Sequence, residues 1–277
     1  MRIRSGPAAV ALAAVVGVIA LVWSAPFLWM IVASLRPDSE GALDMASLWP
    51  SWPPSLANFQ LAFESADFLL NYANTLIVVA GTLTVQLVTV SLAGYAFARL
   101  QFPGRDLIFY LFLLQMMIVP PVLIVPNLKT VTRLGIYDTL WAVMAPYWAS
   151  AFGTFLMRQT FRSIPRDFED AAEIDGCTLL QTLRYVLLPL AKPALIAFGI
   201  VSVVAHWNEF LWPLMVIDSP GHRTLTLGLA SFVSGGEGDA EWGLIAAGTL
   251  IVSLPLFAGF VAFQRQFINS FVLSGIK

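Results

Sequence analysis

The chain has 277 residues, 58% of them hydrophobic and 12% charged, with 15 Lys and Arg against 17 Asp and Glu. Soluble domains run at roughly 45–50% apolar residues, and a mean hydropathy of +0.78 lies far above them. The balance excludes a soluble globular core, the net charge of −2 gives nucleic acid no basic face, and the lone Cys177 excludes an intrachain disulfide and a thiolate metal cluster.

The solvent that suits such a sequence is a bilayer, where a spanning helix needs about 20 mostly apolar residues. Charges punctuate the apolar runs and so mark the predicted spans. In chain order these are residues 5–35, 68–98, 107–128, 139–157, 193–217 (interrupted only by Glu209) and 242–264. Each is long enough to cross at ~1.5 Å per residue. The expected fold is an all-α polytopic membrane protein with six transmembrane helices. The first run follows Arg2 and Arg4 as a secretory signal would, but it is longer than a signal core of roughly 7–15 residues and reads as an uncleaved anchor.

An even number of spans puts both termini on one side. The other side carries only Arg36, Lys129, Arg133 and Arg223 of the 15 Lys and Arg, so the positive-inside bias predicts cytoplasmic termini. The expected organisation is an N-terminal helix and outer loop over 1–67, a core of five spans over 68–265, and a cytoplasmic tail over 266–277. The outer loop 36–67 is rich in Pro, Ser and acids, with Trp49 and Trp52 suited to the headgroup layer. The second outer loop, 218–241, sets turn formers around an apolar middle. "VPPVLIVP" (119–126) predicts a kink or a movable gate element near the outer end of the third span.

Glu209 is the one acid inside a predicted span. A carboxylate at the bilayer centre costs about 2.5–3.5 kcal/mol on insertion scales. Its distance from Pro193, ~24 Å along an α-helix, puts it nearer the outer end. Trp207, Asn208 and Glu209 are candidates for binding a substrate by stacking and hydrogen bonding, with the pinning of one helix to another as the alternative. His206 and Glu209 share a helix face at a spacing that metal sites use, but with no third ligand nearby they are not read as a metal site.

The longest cytoplasmic loop, 158–192, has the densest charge of the chain. "SIPRDFEDAAEIDG" (163–176) reads as a short helix, with Pro165 suited to its first turn and acids near its positive end. Phe168, Ala171, Ala172 and Asp175 fall on one face, flanked by Asp170 and Glu173. Gly176 stands where a left-handed residue would end the helix. "TLLQTLRYVLLPLAKP" (178–193) resumes a helical pattern that Pro189 and Pro193 interrupt. A short small-residue face framed by acids and held off the membrane suits docking into a groove of a soluble partner.

Asp170-Ala171-Ala172, Gly176, Val186, Leu188 and Pro189 match, without a gap, the E-A-A-x3-G-x9-I-x-L-P pattern of ATP-binding-cassette (ABC) importer permeases, with Asp for Glu and Val for Ile. "AGYAFARLQFPGRD" (93–106), "FGTFLMRQTFRSIP" (152–165), "HWNEFLWPL" (206–214) and "EWGLIAAGTLIVSLP" (241–255) resemble the carbohydrate-type members, and among those the class of the maltose permease's six-span second chain. The resemblance implies a type I ABC importer permease fold whose loop helix couples to an ATPase. Asp170, Ala171, Ala172, Glu173 and Gly176 would make that coupling, and Leu188 and Pro189 would orient the next span.

It also implies a bacterial cytoplasmic (inner) membrane location and several partners: a second homologous permease, two ABC ATPase subunits that bind the ATP and Mg, an extracytoplasmic solute-binding protein and a sugar. Residues 218–241 are the candidate contact with the binding protein. No G-x-x-x-x-G-K-[ST] loop is present, since Lys129, the only lysine before a Thr, follows Leu128. No catalytic residues are expected. Glycerol 3-phosphate or a polyol is the alternative cargo. A secondary transporter would call for paired intramembrane charges, which are missing.

Overall fold

The computed structural model describes residues 7–36, 53–65, 67–234 and 242–275, with side chains over 10–36, 53–65, 67–231 and 242–261. The sequence expectations for Arg2, Arg4, Trp49, Trp52, Glu241 and Lys277 lie outside these. Among the described residues every regular element is helical. In order they are α1 (Pro7–Ser34), α2 (Ala57–Ser65), α3 (Phe68–Arg99), α4 (Arg105–Gln115), α5 (Ile124–Arg133), α6 (Leu140–Met144), α7 (Ala151–Ser163), α8 (Asp167–Ile174), α9 (Leu179–Thr182), α10 (Leu188–Leu190), α11 (Lys192–Trp207), α12 (Leu211–Val216), α13 (Leu225–Ser234) and α14 (Trp242–Gly275).

Three helices, α1, α3 and α14, are long and apolar enough to cross a bilayer unbroken, and three bent pairs bring the number of spans to as many as six. Several of the predicted runs break, the third of them where the kink was expected at 119–126. The 107–128 run turns by 104° between α4 and Pro120–Arg133, because Pro120 and Pro121 can donate no backbone hydrogen bond and start a 3₁₀ turn at Pro120–Leu123. The fourth run bends by 43° between Tyr147 and Ala151, just after the 3₁₀ turn Ala145–Tyr147, and its helix continues to Ser163, beyond the expected end at 157. Between α10 and α11 the chain turns by 78°. The apolar run 193–217 is also split, since α11 ends at Trp207 and α12 starts at Leu211.

The chain divides into two compact units, Met1–Phe68 with Gly228–Pro255, and Leu69–Leu227 with Leu256–Lys277. In the first unit Asn58 Nδ2 donates to the carbonyls of Ser34 (3.2 Å) and Arg36 (2.9 Å), which satisfies groups that the end of α1 leaves unpaired. Gly243 makes room for this, because a Cβ there would lie 2.6 Å from Asn58 Nδ2.

The second unit has two buried apolar clusters along α3. One gathers Val78, Val131, Val143, Met144, Trp212 and Val216. The other gathers Val90, Met157, Phe161, Leu183, Leu187 and Phe198, and it carries α8–α10. Membrane helices associate by close packing of small residues rather than by a hydrophobic driving force. Gly153 of α7 fits this, since a Cβ there would meet Val90 Cγ1 and Phe198 Cε2 at 2.6 Å each.

Candidate functional site

The loop that carries the predicted coupling residues is ordered from end to end by local bonds. Ser163 closes α7 and Ile164 leaves it in an extended conformation. α8 begins at Asp167 with Arg166 at the cap, so Pro165 sits ahead of the helix and not in its first turn as the sequence suggested. Asp167, Glu169 and Asp170 occupy that turn, where the unpaired N–H groups and the helix dipole favour negative charge. Gly176 has φ +79°. Its N–H donates to the Glu173 carbonyl (3.0 Å), and the Cys177 N–H reaches the Ala172 carbonyl (2.9 Å). This is the Schellman arrangement expected of a glycine in that position. Thr178 and Gln181 form a reciprocal capping box that starts α9 at once. A π turn at Leu183–Leu187 then leads into α10.

The face of α8 divides differently from the sequence expectation. Ala172 is buried, 5% exposed, whereas Ala171, Asp170, Glu173, Asp175 and Gly176 are all exposed. Phe168 is 48% and Ile174 87% exposed. The two alanines therefore do different work: Ala172 seats the helix, and Ala171 belongs to an open face with Phe168 and Ile174. Among the described residues no ion pair involves Asp170, Glu173 or Asp175. Leu188 is half-buried against the second cluster and Pro189 is exposed.

Sequence reasoning passed over Glu169 and Arg99. Arg99, the last residue of α3, has its Nε 2.5 Å from Glu169 Oε1, with side chains 9% and 17% exposed. Neither of those two atoms makes a directed hydrogen bond, so the contact is a close charge pair. The directed bond runs from Arg99 Nη2 to the Ile164 carbonyl, at 2.6 Å. Arg99 lies within the quoted stretch 93–106, but nothing in that stretch named its partner.

The second predicted group is not a single cluster. Trp207 is buried at 5% exposure, with its ring tilted against Tyr72 at 6.3 Å. Asn208 is exposed, and its side-chain amide donates back to the Val204 carbonyl at 2.8 Å. Glu209 sits in the break between α11 and α12. Its Oε1 accepts the Trp212 N–H (3.3 Å) in the first turn of α12, and its carbonyl accepts the Thr226 hydroxyl (2.7 Å). His206 faces Gln86, not Glu209, with 3.3 Å between Nε2 atoms. Among the described residues no group of three or more His, Cys, Asp or Glu could hold a metal ion.

Residues 218–223, at the start of the predicted binding-protein contact, are fixed by Asp138. Its Oδ1 accepts the N–H groups of Asp218 and Ser219, both at 2.9 Å, and its Oδ2 accepts the Ser219 hydroxyl. The Ser219 bonds, led by the hydroxyl, hold the Asp138 carboxyl down to about 2. The Tyr137 hydroxyl donates to Asp218 Oδ2 (2.9 Å), and this bond raises the Tyr137 pKa above its ordinary value. His222 is partly exposed on this loop, 3.8 Å from Asp138 Oδ1.

Residues 90–270 match the family described as the binding-protein-dependent transport system inner membrane component. The arabinooligosaccharides transport system permease protein AraQ of Bacillus subtilis is 31% identical, covering 94% of this chain and 92% of that protein. The sn-glycerol-3-phosphate transport system permease protein UgpE of Salmonella choleraesuis is 33% identical over 76% of this chain and 74% of its own. In fold the chain is similar to one in the crystal structure of a bacterial ABC transporter involved in the import of the acidic polysaccharide alginate. The TM-score is 0.84 at 21% identity, covering 96% of this chain and 99% of that one. This chain therefore belongs to the binding-protein-dependent transport system inner membrane component family, and it is a permease subunit of an ABC importer.

Proposed function

We propose that this subunit carries a carbohydrate across the bacterial cytoplasmic membrane, driven by ATPase subunits that grip α8. The observation that carries the reading is the open face of α8: Phe168, Ala171 and Ile174 exposed beside Asp170 and Glu173, with Ala172 seated behind them. An exposed apolar strip outside the lipid costs free energy unless a partner covers it. A groove in a soluble ATPase supplies that cover, and the flanking acids set its polarity. ATP and Mg are bound by those ATPases, because this chain has no phosphate-binding loop. Closure of two ATPases would draw two such helices together, one from this chain and one from a homologous permease. The spans would then rock between inward-open and outward-open arrangements, each stabilised by its own contacts. The positive-inside bias supports cytoplasmic termini, on the same side as α8. The loop fixed by Asp138 then faces the extracytoplasmic solute-binding protein.

The test is the full transporter, assembled with its own partners. Ala171→Arg adds a long cation to the open face while leaving the seat at Ala172 alone. It should release the ATPase from detergent-purified permease and abolish uptake while the permease level in the membrane is unchanged. An Ala171→Arg transporter that keeps its ATPase and its uptake would overturn the reading. For the cargo, AraQ supports an oligosaccharide and UgpE supports an anionic glycerol phosphate. Competition of labelled arabinooligosaccharide uptake by each solute decides between them. Asn208, exposed at the end of α11, is the side chain proposed to meet the cargo. Asn208→Ala should raise the half-saturating solute concentration without changing ATPase binding.

A further inference from the structure

The path by which α8 moves a span is ambiguous along the backbone. Downstream of α8 the chain passes a left-handed Gly176, a π turn at Leu183–Leu187 and a 78° bend before it reaches α11. Upstream it passes the extended residue Ile164 and Pro165 before rejoining α7. Each of these features interrupts helical hydrogen bonding, and a motion handed only along the backbone can be absorbed at any of them. One connection bypasses both routes. Arg99 is the terminal residue of the 32-residue helix α3, and its guanidinium is shared between the Ile164 carbonyl at the root of the loop and the Glu169 carboxylate inside α8.

We infer that Arg99 is a positioning residue of the transport cycle: through Glu169 it hangs α8 directly from α3, so that displacement of α8 is delivered to the longest span of the second unit. The inference rests on the coupling reading of α8 given above. The chemistry fits a strut. A guanidinium carries its donors and its charge in one rigid plane, so one side chain can donate to the Ile164 carbonyl and hold the Glu169 carboxylate in a close charge pair at a fixed separation, which a lysine cannot do. Both side chains are largely withdrawn from water, 9% and 17% exposed, so the pair is screened far less than a surface ion pair. Around it α3 is locked against α7. The Arg158 Nε–H donates to the Phe97 carbonyl (3.2 Å), its guanidinium lies 3.9 Å over the Phe109 ring, and Tyr95 packs edge-on against Phe161 at 6.3 Å. A push on Glu169 therefore meets an anchored helix end.

The experiment measures solute taken up per ATP hydrolysed in the complete transporter, reconstituted with its binding protein, for Arg99→Gln, Arg99→Lys, Glu169→Gln and the Arg99→Gln/Glu169→Gln double variant. Coupling free energies between sites correspond to roughly 5–150-fold effects, so each Gln variant should lose about tenfold in that ratio while its ATPase still co-purifies. Arg99→Lys, which keeps the charge, should fall between wild type and Arg99→Gln. The double variant should be no worse than the poorer single one, because both remove the same link. Unchanged uptake per ATP in Arg99→Gln would overturn the inference. So would single losses that multiply in the double variant, or uptake and ATP hydrolysis falling together in proportion to a reduced amount of complex. The Ala171→Arg transporter runs alongside as the separate control on coupling itself. If it keeps its ATPase and its uptake, the coupling reading fails whatever the Arg99 variants do.

Discussion

At one crossing of α3 and α7 the close approach depends on a missing methyl group. A Cβ built on Gly94 would lie 2.6 Å from Met157 Cβ, 3.1 Å from the Arg158 backbone nitrogen and 3.2 Å from the Met157 carbonyl carbon. Carbon atoms in contact prefer about 3.5–4.0 Å, so the shortfall is about 1 Å. None of the three atoms is a side-chain tip that can rotate away, and the helices themselves must move apart. Overpacking of this kind costs about 1–3 kcal/mol. The change from Gly to Ala in a helix interior returns about 1 kcal/mol of helix propensity. Gly94→Ala should therefore be destabilised by about 1 kcal/mol net, and Gly94→Leu by about 2, from the upper end of the overpacking range less the same propensity gain. Gly199 in α11 is the control, because its new Cβ would meet only Leu83 Cδ1, at an ordinary 3.7 Å. Gly199→Ala should be as stable as wild type or more so. The assay is unfolding of the purified transporter by titrated SDS, read by tryptophan fluorescence. If Gly94→Ala matches Gly199→Ala in midpoint, the argument from close approach is wrong.

Asp138 should give the loop at Asp218–Ser219 an acid-sensitive anchor. Its folded pKa of about 2 lies below the ordinary 3.8, so its stabilisation is present in full above about pH 4 and is lost as pH falls toward 2. Melting curves of Asp138→Asn against wild type should differ at pH 7 and converge near pH 2; a difference that persists there would contradict the assignment. Gly176 has open space where a Cβ would go, yet its φ is +79°, so Gly176→Ala should cost only the backbone term of about 1–2 kcal/mol, and Gly176→Asn less. Equal SDS midpoints for wild type and Gly176→Ala would refute this. Trp212, 3% exposed, donates from Nε1 to the Ala142 carbonyl at 3.1 Å. Trp212→Phe leaves that buried carbonyl without its donor and should cost about 1–3 kcal/mol in the same titration.

The apolar runs were legible because a charge in lipid is costly, so Arg36, Asp67, Arg99, Asp106 and Lys129 stand where the chain leaves it. The breaks inside the runs were less legible. Proline marks where an N–H is lost, but not every break is at one: the 104° turn holds Pro120 and Pro121, while the 43° bend falls at 148–150, which has no proline. Glu209 read as an isolated charge because the N–H it accepts belongs to a helix start that apolar composition does not announce. In the loop 158–192, Gly176 and the acidic first turn of α8 follow from local rules that any short helix obeys. The opposite fates of Ala171 and Ala172 do not, since the same residue type stands at both positions and only the packing of α8 on the π turn separates them. The Arg99–Glu169 contact joins positions far apart in sequence, and such pairing has no local signature.

Several polar residues of α3 that no apolar pattern explains share one task. A broken helix in lipid strands carbonyl and N–H groups that water cannot reach, and they must find partners within the protein. At one end of α3, Asn74 Nδ2 donates to the Gly221 and Arg223 carbonyls (2.9 and 3.0 Å), and the Thr75 hydroxyl accepts the Leu225 N–H (2.9 Å). At mid-length, Gln86 Nε2 donates to the Tyr147 carbonyl (2.7 Å) and the Thr89 hydroxyl to that of Trp148 (2.7 Å), both at the bend between α6 and α7. Gln86 Oε1 in turn accepts the Ser202 hydroxyl of α11 at 2.5 Å. At the far end Arg99 takes the Ile164 carbonyl. Among the described residues α3 thus supplies side-chain hydrogen bonds near its two ends and at the α6–α7 bend. This is why a helix with an apolar task carries Asn, Thr, Gln and Arg on its buried side. At that bend the Tyr147 and Trp148 carbonyls are thereby paired within the protein.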